Sequence, residues 1–226
     1  MMKNLLNLFF PKVCMGCSDH LGDNVACICL ECRHQLPLTN FHFNGDERIK
    51  NVLYGRVPLQ QATSLLHFSK KGIVQQILHN LKYRGQEEVG TFLGKWLGEE
   101  LKSLEAYQNI DLVVPVPIHK AKMRKRGFNQ VHKFGQEIAT ALQIPFNTEV
   151  LQKQAPTNTQ VFKDRLRRLE TDTSTFKIAG KHKLTGKHLL LVDDIITTGA
   201  TVEACAQVLL NIEGLSLSLA TMAITD

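Results

Sequence analysis

Leu189-Leu190-Leu191-Val192 is an unbroken apolar run with polar residues on either side, the pattern of a strand covered on both faces of a sheet. Ile110 to Val114 repeats that pattern and is ended by Pro115-Val116-Pro117. Phe146 to Leu151 offers a third strand, Phe176 to Ala179 a short one, and Leu215, Leu217 and Leu219 alternate as the last. Ala62 to Ser69 alternates in part, through Leu65, Leu66 and Phe68, and reads as a further strand before Lys70-Lys71-Gly72 breaks it. Helical spacing follows at Ile73, Val74, Ile77, Leu78 and Leu81, and again at Val89, Phe92, Leu93, Trp96, Leu97 and Leu101. It recurs at Phe128, Val131, Phe134, Ile138 and Leu142, and at Val202, Cys205, Leu209 and Ile212. Strands alternating with helices predict an α/β fold with a mostly parallel sheet flanked by helices. Trp96 lies on an apolar stripe and is expected in the core. Two stretches stand outside the rhythm: Pro37 to Gln61 is irregular, and Gln152 to Thr175 is too polar for a core and too long for a simple connection.

With 226 residues, 43% hydrophobic and 21% charged, the chain is an ordinary globular protein, long enough for one good core and a smaller attachment. Its formal charge of +6 favours anionic partners. The apolar run from Leu5 to Phe10 is interrupted by Asn7 and is too short for a signal-peptide core; no other run approaches a membrane span, so a cytoplasmic protein without membrane insertion is expected. No dinucleotide fingerprint, Walker loop, nucleophile elbow or internal repeat is present.

Five of the six cysteines crowd between Cys14 and Cys32. Cys14-Met15-Gly16-Cys17 and Cys29-Leu30-Glu31-Cys32 form two Cys-x-x-Cys knuckles, whose four thiolates can surround Zn²⁺ tetrahedrally. Four thiolates leave no open position, so such a zinc is structural. Cys27 is surplus: it could replace Cys29, and His34 could compete.

The run at Leu189 delivers Asp193-Asp194 at its carboxyl end, where open α/β sheets bind ligands. Ile195-Ile196 then leads into Thr197-Thr198-Gly199-Ala200-Thr201 at a helix start, a turn suited to a phosphate. Two carboxylates beside a phosphate cradle make sense if the ligand is a sugar phosphate, its hydroxyls on the acids and its phosphate on the loop. This arrangement resembles the phosphoribosyl-pyrophosphate (PRPP) signature of type I phosphoribosyltransferases. Lys120, Lys122, Arg124, Lys125 and Arg126 follow the strand at Ile110 and read as a cationic pyrophosphate loop, Lys120, Arg124 and Arg126 foremost, or else as a solvated turn. Lys163, Arg167 and Arg168 in the long polar stretch read as a lid over an anionic substrate, or as a basic loop with no such duty. Tyr83-Arg84-Gly85 reads as a helix C-cap, or else as a functional turn.

The Leu-Leu-x-Leu-Phe-Phe-Pro lead, the four cysteines, Leu81-Lys82-Tyr83-Arg84-Gly85, Val114-Pro115-Val116-Pro117, Arg126-Gly127-Phe128-Asn129-Gln130 and the Asp193-Asp194 loop together closely resemble the ComF/GntX competence-protein family. The family pattern continues through Gln160, Arg167, Arg168 and Phe176, with Glu170 and Thr171 where Asn is expected. The resemblance implies a type I phosphoribosyltransferase-like fold preceded by a small zinc-binding module. The expected division is a zinc module over 1–40, a connecting strand and helices over 41–105, and the phosphoribosyltransferase-like domain over 106–226. It implies PRPP or a related ribose phosphate with Mg²⁺ as ligand, and a part in natural transformation. There the chain would handle incoming single-stranded DNA beside other DNA-uptake or helicase proteins. The competing expectation is an active phosphoribosyltransferase with an unidentified acceptor.

Overall fold

The computed structural model describes residues 11–22, 25–154, 175–180 and 183–225. The lid residues Lys163, Arg167 and Arg168, with Gln160 and the lead Leu5 to Phe10, lie outside the described residues.

The chain runs through α1 (Leu30–His34), α2 (Phe41–Asn44), α3 (Arg48–Val52), β1 (Leu59–Phe68), α4 (Ile73–Tyr83) and α5 (Glu88–Lys102). It continues through β2 (Leu112–Pro115), α6 (Lys120–Arg126), α7 (His132–Leu142), β3 (Leu151–Lys153), β4 (Phe176–Ile178), β5 (His188–Ile196), α8 (Ala200–Leu209) and β6 (Ser216–Thr225). The main sheet has four parallel strands in the order β1-β6-β5-β2. β1, from the segment 41–105, is hydrogen-bonded into the same sheet as the strands from 106–226. β3 and β4 form a separate antiparallel pair. Among the described residues no helix is long and apolar enough to cross a membrane.

The apolar run at Leu189 is interior to the sheet, with β6 on one side and β2 on the other, so its backbone groups are paired on both edges. Successive side chains of a strand face opposite ways. Leu190 and Val192 accordingly join the core formed with α4, α5 and α7, whereas Leu189 and Leu191 join the core formed with α8 and the α2–α3 segment. The same alternation sends the two acids that follow to opposite faces.

Helix α5 presents Gly90, Gly94 and Gly98 to α7, and a Cβ on Gly94 would lie 2.6 Å from the Phe134 carbonyl oxygen. Those glycines let the two helices approach closely, which their modest helix propensity does not explain.

Three expectations change. Phe146 to Leu151 is not one strand: Phe146 makes only an isolated bridge to Val113, and β3 starts at Leu151. The Asn147 carboxamide oxygen accepts the backbone N–H groups of Glu149 (2.8 Å) and Val150 (3.2 Å), a side-chain turn that competes with strand pairing. The cationic run Lys120–Arg126 is a short helix; His119 caps it by accepting the Ala121 N–H, and Gly127 at φ 82° ends it. Trp96 is only half-buried, because its indole N–H donates to Glu100 (2.7 Å) and the Arg33 guanidinium stacks on its outer face. The C-cap reading of Tyr83-Arg84-Gly85 agrees with the structure, where the Arg84 N–H bonds the Asn80 carbonyl and Gly85 turns the chain at φ 69°.

Candidate ribose-phosphate site and four-cysteine centre

Asp193 and Asp194 occupy the carboxyl end of β5, 8% and 6% exposed. Asp193 lines a small cleft with Thr197, Thr198, Gly199, Ala200 and Thr201. Asp194, on the opposite face, meets Lys82 Nζ at 2.9 Å from the last turn of α4 and accepts from Gln130 Nε2 at 2.8 Å. Gln130 in turn accepts from Arg126 Nη1 at 2.6 Å. The two acids are therefore not equivalent. Burial, and then the neighbouring charge of Asp194, push the Asp193 carboxyl up to about 7, against the N–H that Asp194 donates to it.

A raised acid favours the folded state at low pH. The contribution of Asp193 is fully present below its ordinary value of 3.8 and is lost as pH rises through about 7. His188, whose value burial depresses, acts in the opposite direction, so the informative quantity is a difference between proteins. We expect the ligand-free parent to lose stability relative to Asp193→Asn as pH rises from about 4 to about 7. Thermal melts of the two proteins across that window check this, and parallel curves would contradict it.

Gly199 has φ 77° and begins α8, whose first backbone N–H groups open toward the cleft. A Cβ there would lie 2.5 Å from Leu53 Cδ2. Arg56 holds the same loop from outside: its guanidinium donates to the Thr198 carbonyl (2.9 Å) and to the Val52 carbonyl, and it pairs with Glu203 of α8 (2.5 Å). The exposed Thr197, Thr198, Ala200 and Thr201 are left to face a ligand. Lys120 and Arg124 lie exposed on α6, with Arg126 half-buried beside Gln130.

The structure thus sets Asp193 beside the 197–201 loop and ties Arg126 to Asp194 through Gln130. Lys82, Gln130 and Arg56 were not assigned a role from sequence. The first two stand inside Leu81-Lys82-Tyr83-Arg84-Gly85 and Arg126-Gly127-Phe128-Asn129-Gln130, so the motifs pointed at them without saying what they touch. Nothing in the local pattern singled out Arg56.

At the other end, the sulfur atoms of Cys14, Cys17, Cys29 and Cys32 all lie within 4.8 Å of one another. Cys17 Sγ and Cys29 Sγ are 3.8 Å apart, the tetrahedron edge expected of Zn–S bonds of about 2.3 Å. Burial opposes ionisation of Cys14, yet backbone N–H groups, Cys29 (3.3 Å) and Gly16 (3.4 Å) among them, bring it down to about 6. Burial and the adjoining thiols push Cys32 up, as expected where a second thiolate must form beside a first. Cys27 is turned away: its thiol donates to the Glu88 carbonyl at 3.8 Å, and burial, then Glu88, push it up to about 12. The donor set fits a structural zinc and leaves Cys27 out.

The family model for the phosphoribosyl transferase domain matches residues 133–224, the part that carries the acid pair, the loop and α8. With the parallel sheet this defines a phosphoribosyltransferase-like fold behind a four-cysteine cluster. The chain is 26% identical over 201 residues to the DNA utilization protein YhgH of Escherichia coli, spanning 88% of this chain and 84% of that one. It is 26% identical over 217 residues to competence protein F of Haemophilus influenzae, spanning 89% and 92%. Among solved structures, the glutamine PRPP amidotransferase from B. subtilis complexed with ADP and GMP is 18% identical with a TM-score of 0.42, over 62% of this chain and 30% of that one. Over most of its length the chain is thus similar to DNA utilization and competence proteins.

Proposed function

We propose that the protein binds PRPP or a related ribose 5-phosphate and serves natural transformation in the cytoplasm, where it handles incoming single-stranded DNA. The observation that carries the ligand is Asp193 set beside the Gly199 cradle at the carboxyl end of β5, with Asp194 following it in the strand. The ribose diol would rest on the acids and the 5-phosphate on the N–H groups and hydroxyls of Thr197 to Thr201. Magnesium would enter with the ligand's pyrophosphate, Lys120, Arg124 and Arg126 supplying positive charge on that side. Zinc on Cys14, Cys17, Cys29 and Cys32 would hold the N-terminal module to α4 and α5.

The names of the relatives, a DNA utilization protein and a competence protein, support the DNA role. The exposed cations of α6 support it chemically, because lysines and arginines on a short helix neutralise backbone phosphates without reading sequence. Other DNA-uptake or helicase proteins are the expected partners.

One observation favours a transferase. A cleft of about 580 Å³ beyond the end of β2 is lined by Pro117, Phe128, Asn129 and His132, side chains able to stack on and hydrogen-bond a planar acceptor. Asp194→Asn separates the readings. We expect cells carrying it to transform at least tenfold less well; normal transformation with an altered sugar-phosphate or nucleotide pool would support the transferase instead.

A further inference from the structure

Asp194 Oδ2 is held from two sides by side chains outside the matched 133–224 span, Lys82 Nζ at 2.9 Å and Gln130 Nε2 at 2.8 Å. Gln130 is 7% exposed and the Lys82 side chain 20%, so both bonds form largely out of water. Lys82 is delivered by the last turn of α4, where the helix dipole favours a cation and where buried Ile77, Leu78 and Leu81 fix the helix. Arg126 donates to Gln130 and lies 5.2 Å from the Tyr83 ring centroid, which closes a ring of contacts from α4 through α6 to β5 and back.

Resting on the ribose-phosphate reading above, we propose that Lys82, braced by Gln130, is a positioning residue: the site's own cation, which lets the domain recognise a ribose 5-phosphate without a divalent metal. A carboxylate held at one oxygen by an ammonium and an amide keeps its other oxygen free to accept from a hydroxyl, and keeps its orientation without paying ordering entropy on binding. The charge of the acid pair is already partly answered inside the protein, because Asp193 is raised to about 7 by burial and Asp194 is paired with Lys82. A phosphate on the 197–201 loop needs no metal either, since the N–H groups at the start of α8 supply its partners. Magnesium is then needed only by ligands that carry a pyrophosphate. A site that relied on magnesium to neutralise its carboxylates would behave differently.

The test is calorimetric titration of ribose 5-phosphate into the full chain, once with EDTA and once with magnesium, for the parent, Lys82→Met and Lys82→Arg. The parent should bind with the same affinity in both buffers. Lys82→Met should bind about tenfold or more weakly in EDTA and regain part of that loss with magnesium, while Lys82→Arg should stay near the parent. A parent that binds only with magnesium overturns the proposal, as does Lys82→Met binding like the parent in EDTA. If Lys82→Met does not fold, the parent and Lys82→Arg decide, and a magnesium requirement in either overturns it. Failure of the parent to bind in either buffer, with PRPP and magnesium also silent, would instead remove the underlying site. PRPP binding with magnesium alone would leave that site standing and sink the role of Lys82.

Discussion

Cys17→Ser is expected to abolish zinc binding and unfold the N-terminal module. A structural zinc contributes on the order of 10 kcal/mol to such a centre, and a serine hydroxyl is a poor substitute for a thiolate. The module has little else. Among its described residues Cys14, Met15, Cys27, Ile28, Cys32 and Leu36 are the buried apolar ones, and they pack against α4 and α5 instead of forming a separate core. Asn80 of α4 donates to the Met15 carbonyl at 2.9 Å, a bond that lasts only while the first knuckle keeps its shape. Elemental analysis should therefore find about one zinc per parent chain and essentially none in the variant. Hydrogen exchange should show residues 11–36 losing protection while β5 and β6 keep theirs. Undiminished zinc in Cys17→Ser would contradict the assignment, whereas Cys27→Ser should retain the metal because its thiol faces Glu88.

Gly199→Ala should cost stability and phosphate binding together. The φ of 77° is in the left-handed region, which costs a non-glycine residue about 1–2 kcal/mol. The added methyl meets Leu53, itself fully buried, and overpacking of that kind costs roughly 1–3 kcal/mol more. Relief of the clash has to come from the loop, since Leu53 is fixed among Phe41, Ile49 and Val57. Movement of the loop breaks the convergence of N–H groups at the start of α8. Denaturant unfolding should show a loss of about 2–5 kcal/mol, the sum of those two effects, and inorganic phosphate should no longer protect the variant against heat. Parent-like stability would show that the loop is free to shift.

The parts of the fold that were legible in the sequence are those where burial is symmetrical. Leu189 to Val192 is covered on both faces and reads as a strand in any context, and the stripes on α4, α5 and α7 mark helices in the same way. Phe146 to Leu151 misled because an asparagine side chain satisfies the backbone locally, something an apolar pattern does not report. The chain motifs also pointed to the two acids without reporting what they touch. Asp193 and Asp194 look interchangeable in sequence, yet strand alternation sends one to the phosphate loop and the other to Lys82 and Gln130. That difference depends on a helix more than a hundred residues earlier in the chain. Arg56 was invisible for the same reason, since its partners Thr198 and Glu203 are brought to it only by the fold.

The account rests on the acid pair and its loop being a ribose-phosphate site, and titration of PRPP with magnesium into the parent and Asp194→Asn tests that directly. The parent should bind one PRPP per chain, and the variant about ten- to hundredfold more weakly, as expected when a diol loses its charged acceptor. Equal binding by the two proteins, or no binding by a folded, zinc-loaded parent, would contradict it.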